Sequence, residues 1–292
     1  MSEVDAPRTR PAVGRLAPTP SGLLHLGNVL AFGAAWLSAR SQGGRLLLRV
    51  EDVDRGRARR HIEDAQKRDL EWLGLTWDHE TRRQSERDYA PWVERLGQQV
   101  YWCRCTRAMV RDAGGIYPGT CRDADHDDED GRGRLRFRLP DDPVHFVDRR
   151  FGPQVIDPAA ELGDPVLQRH DGFYTYPLAV VADDIEDGVT EVVRGADLLA
   201  YTAVQIRLFE AFQADPPTWM HSPLVLGADG KKLSKSHGSA HVGELRDAGA
   251  SPRDVWRQVL PWLGLQGDHV EDVVDAFDPT AGPLGPIRVE TD

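Results

Sequence analysis

The junction between a short apolar run and an amphipathic stretch near the amino terminus constrains the fold of this chain most. Residues 12–17 have the character of a buried strand, and residues 18–22 form the turn Pro-Thr-Pro-Ser-Gly. Residues 26–41 then repeat apolar side chains at helical spacing and stop before Gly43 and Gly44. A tight strand-to-helix turn directs backbone N–H groups and the positive end of the helix dipole toward a cleft. The sequence therefore predicts an α/β fold with an anion site at the start of the first helix.

The same alternation continues on both sides of a dissimilar middle region. A strand at 45–51 and a helix at about 60–73 follow the first pair. The pattern resumes in four later segments, at 173–182, 189–194, 199–212 and 219–226. Alternating strands and helices indicate a parallel sheet that binds ligands at the carboxyl ends of its strands. We therefore predict a Rossmann-like parallel sheet that is split by an insertion.

The predicted organisation has five segments. These are a disordered N-terminus (1–12), the first half of a catalytic domain (13–87), an inserted subdomain (88–172), the second half of the catalytic domain (173–240) and a small helical C-terminal segment (241–292). The insertion contains the cysteines, an acidic run and several prolines. No internal repeat interrupts this order.

The formal net charge of −11 argues against non-specific binding of polyanions, which needs an overall basic surface. A local basic patch that recognises one nucleic acid stays open. Arginines cluster in three places, namely Arg55, Arg57, Arg59 and Arg60, then Arg132, Arg134, Arg136 and Arg138, then Arg149 and Arg150. Taken alone, these clusters are interpreted as solvated faces that balance the acidic residues 123–130.

No apolar run approaches the roughly 20 residues that span a bilayer, and the N-terminus lacks the apolar core of a signal peptide. We therefore expect a cytoplasmic protein that does not bind membranes. Three cysteines in such a chain do not form a disulfide framework. Cys103 and Cys105 are one residue apart, and Cys121 follows Tyr117 by four positions. By itself this spacing leaves two interpretations open, a metal site or free thiols in a small core.

Two short strings lie far apart in the chain and suit the chemistry of ATP together. His25-Leu26-Gly27-Asn28 stands at the first strand-to-helix junction, and the string at 232–236 reads Lys-Leu-Ser-Lys-Ser after an Ala-Asp-Gly turn. The junction offers backbone donors to phosphate, and a lysine-rich loop supplies positive charge to the same phosphates. Either string alone is a weak signal, and their combination predicts an ATP-using enzyme.

These residues resemble a known family. The segment 15–22, Arg-Leu-Ala-Pro-Thr-Pro-Ser-Gly, with the string at 25–28, resembles the opening of class I glutamyl-tRNA synthetases. The segment 49–54, Arg-Val-Glu-Asp-Val-Asp, resembles that family's second strand, and 232–236 resembles its KMSKS loop. The resemblance covers roughly residues 14–236 and is greatest to the short paralogous family of glutamyl-Q tRNA(Asp) synthetases. It implies a class I aminoacyl-tRNA synthetase catalytic domain.

The resemblance implies a set of site residues. His25 and Lys235 would be catalytic, and ATP, with Mg²⁺, would bind to His25, Gly27, Asn28, Lys232 and Lys235. Glutamate would bind to six residues, namely Arg15, Ala17 and Thr19 on the first strand, Glu51 on the second, and the pair Tyr176 and Arg194. Glu51 would take the ammonium group, and the two arginines would share the two carboxylates, since a guanidinium matches a carboxylate bidentately. Which arginine takes which carboxylate stays open.

The resemblance also implies that Cys103, Cys105, Tyr117 and Cys121 hold one structural Zn²⁺. Thiolates are the ligands that zinc prefers in closed sites. Tyr117 is the weakest candidate, because a phenol is a poor donor at neutral pH and water could replace it. His126 and His145 are the alternative fourth ligands.

Two departures from the longer synthetases matter. The fourth position of the first motif is Asn28, whose amide can still donate to phosphate, and only 56 residues follow Ser236. A full glutamyl-tRNA synthetase continues into a large anticodon-binding portion that these residues cannot supply. The short paralogues that this chain resembles attach glutamate to the queuosine base in the anticodon of tRNA(Asp), so the resemblance implies the same reaction here, and we expect a monomer. The alternatives are a truncated glutamyl- or glutaminyl-tRNA synthetase, a non-catalytic RNA or amino-acid binding module, and a nucleotidyltransferase of the same superfamily.

Overall fold

The structure is a computed structural model that describes residues 11–128, 131–227, 229–233 and 241–289. Its strands are β1 (Val13–Leu16), β2 (Arg45–Leu48), β3 (His79–Glu80), β4 (Val100–Cys103), β5 (Arg134–Phe137), β6 (Val144–Asp148), β7 (Gly152–Ile156), β8 (Val166–Gln168), β9 (Glu191–Gly195), β10 (Thr218–Ser222), β11 (Val225–Leu226) and β12 (Ile287–Arg288). Its helices are α1 (Leu26–Ser41), α2 (Arg60–Trp72), α3 (Ala90–Leu96), α4 (Arg107–Asp112), α5 (Pro158–Glu161), α6 (Tyr176–Glu186), α7 (Tyr201–Ala211), α8 (Val242–Asp247) and α9 (Pro252–Val259).

The strands that precede and follow the middle region lie side by side and run in the same direction. β1 pairs in parallel with β2, and β2 with β3. The backbone N–H of Thr190 donates to the carbonyl of Val13 (3.0 Å), which brings β9 next to β1. β9 pairs in parallel with β10, which in turn pairs with β6. The carboxyl ends of β1, β2, β9 and β10 therefore meet at one edge, where ligands bind in such sheets.

The first predicted helix matches α1, because its local signals agree with its packing. The backbone N–H of His25 donates to Oδ1 of Asn28 (3.1 Å), which closes the start of the helix. Gly43, just after the end, adopts a φ of +60° that other residues rarely tolerate. Leu30 and Leu37 are fully buried against the sheet. Each such side chain contributes about 1.5–3 kcal/mol by leaving water.

The middle region forms a small antiparallel sheet of its own, in the order β4-β5-β8. The buried side chains of Cys103, Cys105, Tyr117 and Cys121 gather at its edge. Within the predicted insertion, β6 nevertheless joins the main sheet, because Asp148 pairs with Trp219 of β10. The inserted residues are therefore tied to the main sheet.

The predicted strand at 219–226 is interrupted. β10 ends at Ser222, and the chain continues through Pro223 to a separate short strand, β11, which pairs with β12 near the end of the chain. Proline has no backbone N–H to donate to a neighbouring strand. The expectation of one continuous strand was therefore wrong.

The predicted disordered segment 1–12 meets the described residues only at its end. The carbonyl of Ala12 accepts a hydrogen bond from the N–H of Arg45 (2.8 Å), which agrees with a strand-like run that starts at residue 12. Residues 1–10 lie outside the described residues. Among the helices that the structure describes, none has the length and apolar character needed to cross a bilayer.

The carboxyl-terminal residues pack against α1. Trp256 of α9 is buried, and its indole N–H donates to the carbonyl of Leu73 (2.9 Å). Gly33 makes room for this ring, because a Cβ there would lie 2.9 Å from Trp256 Cζ3 and Cη2. Close approach of a helix to an indole ring thus depends on one glycine.

Two of the helical glycines, Gly33 and Gly243, should respond oppositely to alanine. We expect Gly33→Ala to lower the free energy of unfolding by about 1–3 kcal/mol, because the added methyl group overlaps a buried ring. The matched variant Gly243→Ala meets only the Arg246 and Asp69 side-chain ends at 3.5 Å or more, so it should gain about 0.4–1 kcal/mol. Urea unfolding of both variants measures the difference. An unchanged midpoint for Gly33→Ala would contradict this account of the α1–α9 contact.

Candidate functional site

The start of α1 forms one wall of a cleft at the carboxyl edge of the sheet. His25 is the residue before the helix, and its imidazole lies against Gly27, where a Cβ would stand 3.0 Å from His25 Cε1. Gly27 therefore lets the ring fold back over the helix start. The Asn28 side chain caps the helix from within by accepting the His25 N–H. The predicted motif thus has a structural reason for its glycine and its asparagine.

Two small cavities open on either side of His25 and Asn28. One, of about 210 Å³, is lined by residues that follow β1, including Ala17 and Thr19. The other, of about 110 Å³, is lined by Gly27, Gly195, Asp197, Val225 and Lys232. The structure therefore brings the two predicted ATP segments, the helix start and the lysine-rich string, to the same cavity.

Lys232 is held in place by its backbone and by its side chain. It forms an antiparallel bridge with Leu226, and its Nζ lies 2.5 Å from Oδ2 of Asp197. The next residue, Leu233, is buried and donates its N–H to the carbonyl of Val225. The other predicted lysine of this string, Lys235, lies outside the described residues, as do the rest of 234–240.

Buried charges surround a second part of the same sheet edge. Arg15 on β1, Glu51 just after β2 and Arg194 on β9 are all less than one-tenth exposed. Nη1 of Arg15 donates to the carbonyl of Val193 (3.1 Å), and its Nε lies 3.5 Å from Oδ1 of Asp184. Tyr176, the first residue of α6, lies close enough to Arg15, Glu51 and Arg194 for their charges to act on its pKa. Burial is the main cause that raises the pKa of Tyr176. The structure therefore gathers four of the predicted glutamate ligands, Arg15, Glu51, Tyr176 and Arg194.

Glu51 is a buried carboxylate with an unused oxygen. Its Oε1 lies 3.5 Å from Nη2 of Arg49, yet within the described part of the chain it accepts no hydrogen bond. Burial raises the pKa of Glu51. The nearby cations of Arg49 and Arg15 act in the opposite direction, but the pKa stays above its ordinary value. Arg49 in turn is fully buried, and its Nη1 lies 2.7 Å from Oδ1 of Asp184 in an ion pair. An unsatisfied buried oxygen costs free energy that a cationic ligand group would recover.

Arg194 is oriented by a dense set of hydrogen bonds. Its Nη1 donates to Gln205 Oε1 (2.7 Å) and, more weakly, to the hydroxyl of Tyr176 (3.4 Å). Its Nη2 donates to Oγ1 of Thr202 (2.8 Å) and to the carbonyl of Leu198 (3.2 Å). The long contact with Tyr176 is the one that a carboxylate would most readily replace.

Two residues behind Arg194 were missed by the sequence reasoning. Nε of Arg194 donates to Nε2 of His221 (3.1 Å), and Nδ1 of His221 lies 2.7 Å from Oδ2 of Asp148. Burial and the Arg194 cation lower the pKa of His221, so the neutral ring donates from Nδ1 and accepts at Nε2. The only signal in the sequence was the pair His221-Ser222 at the end of an apolar strand.

The three cysteines form a cluster with the spacing of a metal site. Their Sγ atoms all lie within 4.8 Å of one another, and Cys105 Sγ is 3.7 Å from Cys121 Sγ. A tetrahedral zinc with bonds of about 2.3 Å places its sulfur ligands about 3.8 Å apart. A disulfide would need about 2.05 Å. The donor set and the spacing therefore fit a tetrahedral metal ion.

Tyr117 completes the cluster with an oxygen. Its hydroxyl accepts the backbone N–H of Cys121 (2.8 Å) and interacts with Cys103, which places it among the thiols. The guanidinium of Arg136 covers the Tyr117 ring at 3.8 Å from its centroid. Among the described residues, neither His126 nor His145 joins the group of candidate ligands.

Comparisons with known proteins identify the family of this chain. A family model described as the catalytic domain of class I tRNA synthetases (E and Q) matches residues 12–116 and 117–280. The glutamyl-Q tRNA(Asp) synthetase of Nitratidesulfovibrio vulgaris is 39% identical over 96% of this chain and 96% of that protein. The one from Symbiobacterium thermophilum is 42% identical over 94% of this chain and 95% of that protein. This chain belongs to the glutamyl-Q tRNA(Asp) synthetase family.

Solved structures confirm the class I fold of this family member. The glutamate-tRNA synthetase of Elizabethkingia anophelis superposes with a TM-score of 0.83 at 26% identity, over 96% of this chain and 68% of that chain. The glutamate tRNA ligase of Elizabethkingia meningosepticum gives a TM-score of 0.82 at the same identity. The chain is thus a ligase-type enzyme with a class I tRNA synthetase catalytic domain, and its inserted part carries the cysteine cluster.

Proposed function

We propose that this enzyme activates L-glutamate with ATP and transfers the glutamyl group to the queuosine base in the anticodon of tRNA(Asp). The observation that carries this proposal is the buried Oε1 of Glu51, which accepts no hydrogen bond within the described residues and belongs to a cluster in which Glu51, Arg15 and Arg194 all act on Tyr176. A ligand with one ammonium and two carboxylate groups complements that set of charges. Glutamate has this composition.

Each polar group in the cluster then has a role toward glutamate. Glu51 takes the ammonium group, and Arg15 and Arg194 share the two carboxylates. Tyr176 donates its hydroxyl, which burial keeps protonated because it raises the phenol's pKa. Ala17 and Thr19 line the cavity next to His25, so they would contact glutamate on the side that faces the nucleotide.

Activation needs two anions to meet. An oxygen of the α-carboxylate attacks the α-phosphorus of ATP, the bond to the β-phosphate bridging oxygen breaks, and pyrophosphate leaves. His25, Gly27 and Asn28 present the helix start to the phosphates, and Lys232 and Lys235 offset the growing negative charge. Mg²⁺ accompanies ATP in such reactions. Catalysis by positioning and charge requires no covalent nucleophile on the protein.

In the transfer step, a hydroxyl of the queuosine cyclopentenediol attacks the carbonyl carbon of glutamyl-adenylate. AMP leaves with the electron pair of the broken mixed-anhydride bond, and the hydroxyl proton passes to solvent or to AMP. The names of the similar proteins support this acceptor. Charging of a tRNA acceptor end is the other outcome that the transfer experiment distinguishes.

We further propose that Cys103, Cys105, Tyr117 and Cys121 hold one zinc ion in a structural role. All four side chains are buried, which is typical of closed sites. Burial raises the pKa of Cys105 to about 12, so the metal-free thiol keeps its proton and metal binding must release it. The ion would tie β4 to the segment that follows α4.

The cysteine cluster should bind one zinc per chain in the purified protein, measured by atomic emission. We expect Cys121→Ala to lose the metal and to lower the melting temperature by about 5 °C, equivalent to about 2 kcal/mol for a chain of this size. The neighbouring variant Thr120→Ala, at an exposed position, serves as the control. Full zinc content in Cys121→Ala would remove the proposed site.

Glutamate recognition should depend on the ionisation of Glu51. Because its pKa is raised, Glu51 becomes neutral at a higher pH than an exposed glutamate would, and the ammonium contact is then lost. We expect the KM for glutamate in pyrophosphate exchange to rise as the pH falls through the acid range. Glu51→Gln should raise the KM about 10- to 100-fold at neutral pH and flatten that dependence.

Glu71→Gln, at an exposed position on α2, is the matched control. It should keep the wild-type KM and its pH profile. A wild-type profile in Glu51→Gln would reassign this residue to a structural role beside Arg49.

The acceptor is tested by transfer of radiolabelled glutamate, with ATP, to queuosine-containing tRNA(Asp), unmodified tRNA(Asp) and tRNA(Glu). We expect label only on the queuosine-containing tRNA, in a linkage that mild base removes, as it would an ester. Label on tRNA(Glu) would instead make this a minimal aminoacyl-tRNA synthetase. If the enzyme shows neither transfer to any of the three tRNAs nor glutamate-dependent pyrophosphate exchange, the proposal fails and a non-catalytic binding module is the remaining hypothesis.

A further inference from the structure

An arginine-lined cavity of about 350 Å³ lies in the inserted part of the chain and takes no part in the activation site described above. Five arginines contribute to its walls, Arg107, Arg111, Arg134, Arg136 and Arg169. Val110 and Val166 supply an apolar floor. In a chain whose formal charge is −11, such a concentration of guanidinium groups implies an anionic ligand.

The five arginines differ in what they already bind. Arg136 is buried, donates to the carbonyl of Asp164 and covers Tyr117, so it supports the cysteine cluster. Arg107 and Arg111 are exposed and lie one helical turn apart on α4. Within the described residues, Arg107 has no carboxylate at ion-pair distance, and Arg111 has only the adjacent Asp112 at 3.8 Å. These two cations remain available to a ligand.

This cavity adjoins the proposed glutamate site. Thr175 lines it, and the next residue, Tyr176, belongs to the glutamate cluster. Arg169 also lines it and reaches Asp54, which follows Glu51 by three residues, at 3.6 Å. A molecule in the cavity would therefore lie beside the proposed glutamate cluster.

An exposed aromatic ring lies next to a residue of the cavity wall. Phe173 is 42% exposed, and its carbonyl accepts the N–H of Arg169, which lines the cavity, at 2.8 Å. The guanidinium of Arg55 lies 5.9 Å from the centroid of the Phe173 ring. An exposed ring next to arginine is typical of surfaces on which nucleobases stack.

We propose that the cavity and Phe173 bind a single-stranded loop of RNA, with Arg107 and Arg111 on its phosphates and Phe173 stacked on one base. The proposal rests on the proposed function, because it supplies the docking surface for that enzyme's RNA substrate. A planar guanidinium group can donate two hydrogen bonds to one phosphate group. An unstacked base in an RNA loop exposes its π-face and can stack on an aromatic side chain. A protein partner would not require both features together.

The phosphate contacts are tested with the double variant Arg107→Ala/Arg111→Ala. The RNA is the queuosine-containing anticodon stem-loop of tRNA(Asp), and its Kd is measured at several salt concentrations. We expect about tenfold weaker binding at 0.15 M salt, and a slope of log Kd against log salt that is smaller by about 1.4, since each single-strand phosphate contact contributes about 0.7.

The matched control is Arg253→Ala/Arg257→Ala. These arginines are also exposed and one turn apart, on α9, so the variant loses the same charge elsewhere. The control should keep the wild-type salt slope. Equal slopes in the two double variants would overturn the assignment of Arg107 and Arg111, because they would show that only net charge matters.

The stacking contact is tested with Phe173→Ala and Phe173→Tyr. Removal of the ring should weaken RNA binding about tenfold, and tyrosine should restore it, because it keeps an aromatic face. Wild-type affinity in Phe173→Ala, or a loss in Phe173→Tyr equal to that in Phe173→Ala, would overturn the stacking role.

Glutamate-dependent pyrophosphate exchange without added RNA is measured on every protein and reports whether activation is intact. Glutamate transfer to the stem-loop, measured together with RNA binding, separates the two proposals. If the wild-type enzyme binds the stem-loop but transfers no glutamate to it, the proposed function fails and the docking surface stands. If it transfers glutamate while the arginine variant keeps wild-type RNA binding, the docking surface fails and the proposed function stands.

Discussion

The ion pair between Arg49 and Asp184 holds the two sides of the cleft together. Arg49 directly follows β2 and is fully buried. Its Nη1 lies 2.7 Å from Oδ1 of Asp184 on α6. Removing charges from water costs several kcal/mol each, so such a pair persists only where the surroundings keep both partners in place. Arg15, on the neighbouring strand, approaches the same oxygen of Asp184 at 3.5 Å. Two strands and one helix therefore share one anchor. Glu51 lies beside this ion pair, with Oε1 3.5 Å from Nη2 of Arg49, so the charge of the proposed glutamate site depends on the pair.

Arg194 is fixed by a second set of contacts from the other half of the sheet. Asp148 on β6 holds His221 on β10, and His221 accepts from Arg194 on β9. Gln205 and Thr202 complete the arrangement from α7. A guanidinium that is oriented before the substrate arrives loses little rotational freedom on binding, which favours affinity and geometry together. The parallel order of β6, β10 and β9 makes this line of contacts available.

The inserted sheet serves both the cysteine cluster and the arginine-lined cavity. Arg134 donates to the carbonyl of Cys105, and Arg136 rests on Tyr117, so neighbouring residues of β5 stabilise both features. Asp164 adds rigidity by accepting hydrogen bonds from Tyr101 and Arg122. A metal ion in the cluster would keep this surface in a constant position relative to Thr175 and the cleft.

The sequence by itself determined the features that depend on neighbouring residues. The bounds of α1 and the Cys-x-Cys pair with Tyr117 and Cys121 were readable, because helix periodicity and ligand spacing span only a few positions. The family resemblance supplied candidate ligands, and the structure gathers the charged ones. Only the tertiary structure decided which arginines are buried and which are exposed. Arg136 is buried and Arg107 is exposed, and no local pattern in the sequence distinguishes them. The tertiary structure also decided that Asp148 and His221, 73 residues apart, support Arg194. Such contacts follow from the order of strands in the sheet, and no local pattern records that order.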